Sequence, residues 1–326
     1  MKRTFVLCMT LVMLFSVLLT GCARRSAADD GRLRILVVAK DLADPYSQWL
    51  INMAEKRLRE EYPDVFFRVV DQMGDPANSQ PIVDQAILEG FDALLLQKVS
   101  GSQNTDAMFQ DAARQGLYTV IMNNDVNDGV TSSSFAPEYA MGYMIGAEAA
   151  KNLPQNARVV VLMSTPALFS SEQRRMGYED SLFKVRPDIT ILDTRNIESW
   201  RKEIAIQVME DWCQRFPQID GVISMNDGMV LGAIEAAKAD RRDVQRMQFY
   251  GIDGLADGCL SIMEGEQTAS ILQDAVDMAY NGADIAVRIA KGELRTPIKY
   301  EITPLLITGD NIDTFIQLHR DTGVIR

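Results

Sequence analysis

Histidine is nearly absent from this chain, because His319 is the single histidine among 326 residues. A Ser-His-Asp triad needs a histidine as its general base, and most zinc sites use histidine or paired cysteines. One histidine near the C-terminus supplies almost no material for either. We therefore expect no metal, no cofactor and no enzymatic activity. On composition alone, a sugar-modifying hydrolase that uses Asp44 and Asp253 as its carboxylates stays open.

Cysteine is also scarce, with four residues in the whole chain. Cys8 and Cys22 lie in an N-terminal apolar segment, so Cys213 and Cys259 are the only two in the body of the protein. They could pair in an oxidising compartment, but both lie in predicted helices, where buried free thiols are more common. We expect both thiols to be free.

Long apolar runs are missing from the chain except at its N-terminus. Lys2 and Arg3 precede an apolar stretch over residues 5–19, and Leu19-Thr20-Gly21-Cys22 is a small-residue cleavage site that ends in cysteine. The stretch is short against the roughly 20 residues of a spanning helix. It resembles the lipobox of bacterial lipoproteins.

In that family the signal is cleaved before the cysteine, which then receives the lipid. The resemblance implies that residues 1–22 are a signal, that Cys22 carries the anchor and that residues 23–32 form a tether. The protein would then be extracytoplasmic and bound to the bacterial membrane through its lipid, on the periplasmic or the outer cell surface.

Basic residues are fewer than acidic ones, and the net charge is -12. Loss of Lys2 and Arg3 with the signal would change it to -14, because two positive charges leave. An acidic surface argues against nucleic acid and against an anionic membrane face as partners.

What the chain does contain is a regular alternation of strands and helices from Leu33 onward. Continuous apolar strands separated by helices are typical of parallel sheets that helices cover on both faces. The first series has strands over 33–38, 65–70, 93–96 and 118–122, with helices over 48–61, 79–88 and 103–114. After a break near residues 131–137, the second has strands over 158–163, 188–192, 221–225, 247–252 and 268–272, with helices over 138–152, 171–185, 200–215, 227–239 and 255–264. A helix over 275–290 and an extended run over 300–307, interrupted by Pro304, follow.

About 300 residues are more than one hydrophobic core usually organises. We therefore predict an α/β protein of two doubly wound parallel-sheet lobes that face each other across a cleft.

Polar and aromatic side chains recur after the ends of the predicted strands and near the starts of the predicted helices, at the side of the sheet where open α/β proteins bind ligands. They are Asp44, Tyr46, Gln97, Asn123, Arg174, Trp200, Asn226, Asp253 and Gln273. Carboxylates and amides accept hydrogen bonds from hydroxyls, arginine and amides donate to them, and rings cover apolar C–H faces. This inventory suits a small polyhydroxylated ligand. The alternative for single positions is structural, with Ser47 or Asn226 capping a helix.

Several motifs then resemble one family in order and spacing. They are Asp44-Pro45-Tyr46, Arg174-Arg175-Met176-Gly177-Tyr178, Asn226-Asp227-Gly228-Met229-Val230-Leu231-Gly232-Ala233, Tyr250-Gly251-Ile252-Asp253-Gly254 and Ile271-Leu272-Gln273-Asp274. The chain is similar over residues 33–309 to type I periplasmic binding proteins, in the ribose- and galactose-binding cluster of ABC-transporter sugar-binding proteins.

The resemblance implies a three-segment hinge and places the nine candidate residues on both lobes. The N-terminal lobe would take residues 33–136 plus 274–302, and the C-terminal lobe 137–273 plus 303–326. It also implies a monomer that captures a monosaccharide or similar polyol by hinge closure and delivers it to an ABC permease. A sugar-sensing module that signals to a chemoreceptor or membrane kinase is the alternative, since it would use the same cleft.

The ligand itself stays open at this stage. Ribose-type members carry aspartate and arginine where this chain has Asn123-Asn124. We interpret Lys40 and Lys98 as surface residues, yet with Arg174 they leave a sugar acid or a phosphorylated ligand open. At the turn after the strand over 221–225, we expect Asn226 to bind hydroxyl groups and Asp227 to cap the helix.

Overall fold

The computed structural model describes residues 31–99, 105–165, 168–294 and 297–325. The predicted signal, the predicted lipid-attachment residue Cys22 and most of the predicted tether lie outside the described residues.

The first lobe is built on a sheet of six parallel strands. They are β1 (Arg34–Ala39), β2 (Phe66–Asp71), β3 (Ala93–Gln97), β4 (Tyr118–Asn123), β5 (Ser132–Phe135) and β11 (Lys299–Glu301). Their order is β11-β5-β4-β3-β1-β2. All five residues of β3 are buried, as expected for a strand covered on both faces.

The second lobe repeats this arrangement with one antiparallel edge. Its strands are β6 (Arg158–Ser164), β7 (Thr190–Ile197), β8 (Gly221–Ser224), β9 (Gln248–Tyr250), β10 (Ala269–Leu272) and β12 (Leu305–Thr308). The order is β12-β10-β9-β8-β6-β7, and only the β10–β12 pair is antiparallel. In both sheets the strand order reverses beside the first strand of the lobe, which opens a crevice at the carboxyl ends of the strands.

Ten α-helices pack on the two sheets in the described part of the chain. They are α1 (Pro45–Glu61), α2 (Ser79–Leu88), α3 (Thr105–Arg114), α4 (Glu138–Asn152), α5 (Phe169–Tyr178), α6 (Lys202–Arg215), α7 (Asp227–Ala239), α8 (Ala256–Met263), α9 (Ala275–Ala290) and α10 (Ile312–Asp321). Helix α9 packs on α1, β3 and β4 of the first lobe, although it follows β10 of the second.

The chain passes between the two sheets three times. It leaves the first sheet after Phe135, returns after Leu272 and crosses again between Glu301 and Leu305. The extended run over 300–307 is therefore two short strands that belong to different sheets, separated at Pro304.

Two elements differ from the sequence prediction. The break near residues 131–137 contains strand β5, whose three serines are buried. The sequence does not predict a strand here, because serine is not one of the apolar residues that mark a buried strand. In the structure each of the three hydroxyl groups takes part in a hydrogen bond. One partner is the Met278 carbonyl, 2.9 Å from Ser134 Oγ. Helix α10 was also not predicted.

Both remaining cysteines are buried and free, as predicted. Within the described residues, no helix is long and apolar enough to cross a membrane, and no cluster of possible metal ligands occurs.

Candidate functional site

A polar cleft lies where the carboxyl ends of the two sheets face each other. Its empty volume, counting the solvent at its mouth, is about 500 Å³. Eight of the nine residues singled out from the sequence line it: Asp44, Tyr46, Asn123, Arg174, Trp200, Asn226, Asp253 and Gln273. The lining is completed by Lys40, Lys98, Asn124, Glu138 and Ser170. Both lobes therefore contribute side chains to one cavity.

Gln97 is the one candidate that does not line the cleft. It is fully buried at the end of β3, and its side-chain oxygen accepts hydrogen bonds from the Ser47 hydroxyl and from the backbone N–H of Lys40. Its amide thus fixes the start of α1 against the sheet. Gln97 lies at the strand end, as predicted, but its side chain points into the protein.

Arg174 is the centre of the site. Its Nε donates to Glu138 Oε2 at 2.6 Å, one terminal nitrogen donates to the carbonyl of Met225, and the other donates to Gln273 Oε1 at 2.6 Å. Asp253 Oδ1 lies 3.7 Å from the same guanidinium. A planar group with five donors in a rigid fork can hold this many acceptors at once.

Glu138, which was not singled out from the sequence as a site residue, is the closest counter-ion of Arg174. It is the first residue of α4, directly after the first passage between the sheets, and it is buried. Burial raises the pKa of Glu138, and Arg174 acts in the opposite direction. Burial lowers the pKa of Arg174, but the carboxylates of Glu138 and Asp253 outweigh it and the net shift is upward. The guanidinium stays charged.

Asp253 presents its carboxylate to the cleft and is 5% exposed. Among the described residues, Arg174 is the side chain with which it forms an ion pair. Burial raises its pKa well above the ordinary range, because the charged form lacks solvent, and Arg174 opposes that shift. Its position at the cleft allows this carboxyl group to form a hydrogen bond with a ligand hydroxyl.

The first lobe contributes a turn built by Asp44. Its Oδ1 accepts from the Tyr46 backbone N–H at 3.0 Å and so caps α1, with Pro45 at the first helical position. Lys40 Nζ donates to the other oxygen at 2.5 Å. Asp44, and not Ser47, is therefore the cap, and Lys40 is paired inside the cleft instead of lying free on the surface.

The turn after β8 corrects the roles expected for Asn226 and Asp227. Asn226 is the helix cap: its Oδ1 accepts from the Met229 N–H at 2.9 Å, while its Nδ2 lies 3.5 Å from the Trp200 carbonyl beside the cleft. Asp227 does not cap the helix. It is fully buried, and its oxygens accept from Ser270 Oγ at 2.7 Å and 2.9 Å, among other donors. The prediction that Asp227 is the cap was wrong, because the buried carboxylate is held by the strand two places along the sheet.

Three lining residues have a positive φ: Asn123 at 80°, Trp200 at 61° and Asp253 at 123°. Such conformations cost of order 1–3 kcal/mol each and persist only where the surrounding structure imposes them. All three lie at or just after a strand end, and they are three of the seven non-glycine residues with a positive φ in the described part of the chain. Trp200 places its ring 5.4 Å from the Arg174 guanidinium carbon, within range of a cation–π contact.

Two of the contacts between the lobes lie at or behind the cleft. Gln273 accepts from Arg174 of the second lobe and donates to Asn123 Oδ1 of the first. Behind it, the Trp49 ring of α1 lies 4.8 Å from the ring of His319 in α10. His319 is fully buried, its Nε2 lies 2.9 Å from the Gly254 carbonyl, and burial lowers its pKa.

Comparisons with known proteins agree with this geometry. A family profile for the periplasmic binding protein domain matches residues 35–294. A xylitol-binding protein of Mycolicibacterium smegmatis is 29% identical over 238 residues, which are 72% of this chain and 66% of that protein. A D-apiose import binding protein of Paraburkholderia graminis is 28% identical over 281 residues, 85% of this chain and 88% of the relative.

Among solved structures, a periplasmic solute binding protein of an ABC transporter from Actinobacillus succinogenes, with bound D-allose, superposes with a TM-score of 0.79. It is 19% identical in sequence, and the match covers 87% of this chain and all of that one (100%). The two-lobed fold of type I periplasmic binding proteins is thereby confirmed. The family and these relatives are binding proteins and not enzymes. This chain belongs to the periplasmic binding protein family, whose members act outside the cytoplasm.

Proposed function

We propose that this protein captures a monosaccharide or similar polyol between its lobes and delivers it to an ABC permease. The observation that carries the proposal is the single cleft lined by polar groups of both lobes, with Asp253 of one lobe and Asn123 of the other facing the same space. Relatives whose names specify xylitol and D-apiose support the ligand class.

The hydrogen-bonding groups of the cleft fit a ring or chain of hydroxyls. The Asp253 carboxylate accepts, and Asn226 Nδ2 donates. Among the described residues, three N–H groups of Arg174 have protein acceptors, which leaves two of the five for a ligand. The Trp200 ring offers an apolar face for C–H groups. Desolvated hydrogen bonds to charged groups are the strong ones, and a few suffice for micromolar affinity of roughly -8 kcal/mol.

Closure follows from having groups on both lobes satisfy one ligand. A ligand that contacts both lobes binds the closed form more tightly and shifts the population toward it. We assign residues 33–136 and 274–302 to one lobe and residues 137–273 and 303–326 to the other, with the three passages between the sheets as the hinge. Cys22 would hold the protein at the membrane beside the permease.

A thermal-shift panel of pentoses, hexoses, pentitols, inositols and sugar acids tests the proposal. A ligand at a thousandfold excess over its dissociation constant stabilises the folded state by about 4 kcal/mol, which raises the melting temperature by several degrees. The proposal fails if no neutral sugar, polyol or sugar acid raises the melting temperature.

A further inference from the structure

The charges that line the cleft are balanced. Three cationic residues, Lys40, Lys98 and Arg174, face three acidic ones, Asp44, Glu138 and Asp253. Lys40 is paired with Asp44 at 2.5 Å, and Arg174 is paired with Glu138 at 2.6 Å. The cleft therefore offers far less free positive charge than its three cations suggest.

Arg174 in particular is not available as an anion receptor. Its guanidinium is 4% exposed and is shared by two carboxylates, Glu138 and Asp253. If both acids are ionised, the three groups together carry one negative charge. If one of them is protonated, the three groups together are neutral. In neither state does a positive charge remain for an anionic ligand.

Lys98 is the remaining cation. It is partly exposed, and among the described residues it forms no ion pair. A single partly solvated ammonium is a weak receptor, since solvent screens an exposed charge far more than a buried one.

We propose that Glu138 determines the charge class of the ligand: by neutralising Arg174 it makes the cleft select uncharged polyols over sugar acids and sugar phosphates. This inference rests on the proposed function and narrows it. A carboxylate or phosphate placed against Arg174 would lie within a few ångströms of two acidic side chains, and like charges in a desolvated site repel strongly. A neutral hydroxyl meets no such penalty, because it donates to Asp253 and accepts from the free N–H groups of Arg174.

The experiment compares matched pairs of ligands by calorimetric titration. The pairs are D-galactose with D-galacturonate, xylitol with D-xylonate, D-ribose with ribose 5-phosphate, and myo-inositol with myo-inositol 1-phosphate. For the wild type, we expect the neutral member of any binding pair to have a dissociation constant at least about tenfold lower than its acid.

The test variant is Glu138→Gln, which keeps an oxygen acceptor for Arg174 and removes one charge. We expect the affinity ratio of acid to neutral ligand to rise about tenfold, because the group of Arg174, Glu138 and Asp253 loses one of its two negative charges while the guanidinium keeps its positive charge. Glu172→Gln is the matched control. Glu172 is an exposed residue of α5 that pairs with Arg175, and its removal changes the net charge equally. A purely structural role of Glu138 would lower both affinities together and leave the ratio unchanged.

The double variant Glu138→Gln/Arg174→Gln covers the case in which the single variant does not fold. It removes the guanidinium, which cannot lose its charge, and leaves Asp253, which can be protonated once its cation is gone; it should therefore fold where Glu138→Gln fails, and that difference would support the neutralising role. An unchanged ratio in folded Glu138→Gln, or tighter wild-type binding of the acids, overturns the inference and leaves solute capture intact. If neither class binds the wild type, the proposed function falls and the inference falls with it.

Discussion

Asn226 holds two roles that substitution can separate. Its side-chain oxygen accepts from the Met229 N–H at 2.9 Å and caps α7, while its Nδ2 lies beside the cleft, 3.5 Å from the Trp200 carbonyl. Asn226→Ala removes both groups. Asn226→Ser keeps a capping oxygen but is too short to present a donor to a ligand.

The two roles have different expected magnitudes. Replacing an asparagine cap by alanine costs typically about 1 kcal/mol of the free energy of unfolding, whereas serine caps about as well as asparagine. A neutral hydrogen bond contributes about 1 kcal/mol net, so loss of the Nδ2 contact weakens binding by about fivefold. We expect Asn226→Ala to lose both stability and affinity, and Asn226→Ser to lose affinity alone.

Urea unfolding of the ligand-free protein and calorimetric titration with the bound sugar measure the two quantities separately. The reasoning is refuted for the ligand role if Asn226→Ser binds as tightly as the wild type. It is refuted for the cap if Asn226→Ala unfolds at the wild-type urea concentration.

Further predictions concern pH, packing and fluorescence. Burial raises the pKa of Asp227 to about 6, so its contribution to stability is fully present below pH 4 and is lost as the pH rises through 6. Between pH 4 and pH 7 the free energy of unfolding of the wild type should fall by about 3 kcal/mol relative to that of Asp227→Asn. Urea unfolding at several pH values measures both, and free energies that change in parallel with pH would contradict this prediction. A Cβ at Gly177 would lie 2.4 Å from the backbone nitrogen of Tyr143. Gly177→Ala should therefore lower the free energy of unfolding by about 1–3 kcal/mol and weaken ligand binding by displacing Arg174. Gly309→Ala is the control, since a Cβ there meets open space and should change neither quantity. Ligand binding should change the tryptophan emission mainly through Trp200, so Trp200→Phe should reduce that change strongly; an undiminished change in Trp200→Phe would place the ligand away from this ring.

The sequence predicted the order of strands and helices well because buried parallel strands are continuous apolar runs. It also placed eight lining residues, since the ends of parallel strands meet at one edge of a sheet. Strand β5 was not predicted because two of its buried serines have partners distant in sequence: the Met278 carbonyl accepts from Ser134, and the Ile298 N–H donates to Ser132.

The roles of Glu138 and of the Asn226-Asp227 turn could not be predicted from the sequence. An acidic residue at the start of a helix fits an exposed first turn, and nothing local indicates that Arg174, 36 residues away, turns it inward. Asn226 and Asp227 are both good caps by residue type. Their roles are decided by Ser270 in β10 and by Gln267, two residues before that strand, whose side chains both donate hydrogen bonds to the Asp227 carboxylate.

The most direct test of the central claim is the dissociation constant of the bound polyol in two variants, one from each lobe. Asn123→Gly removes the first lobe's amide and tolerates its φ of 80°. Asp253→Asn removes the second lobe's charge. We predict weaker binding of about three- to tenfold for Asn123→Gly and about ten- to a hundredfold for Asp253→Asn. Wild-type affinity in either variant would mean that the ligand is not held between the lobes as described.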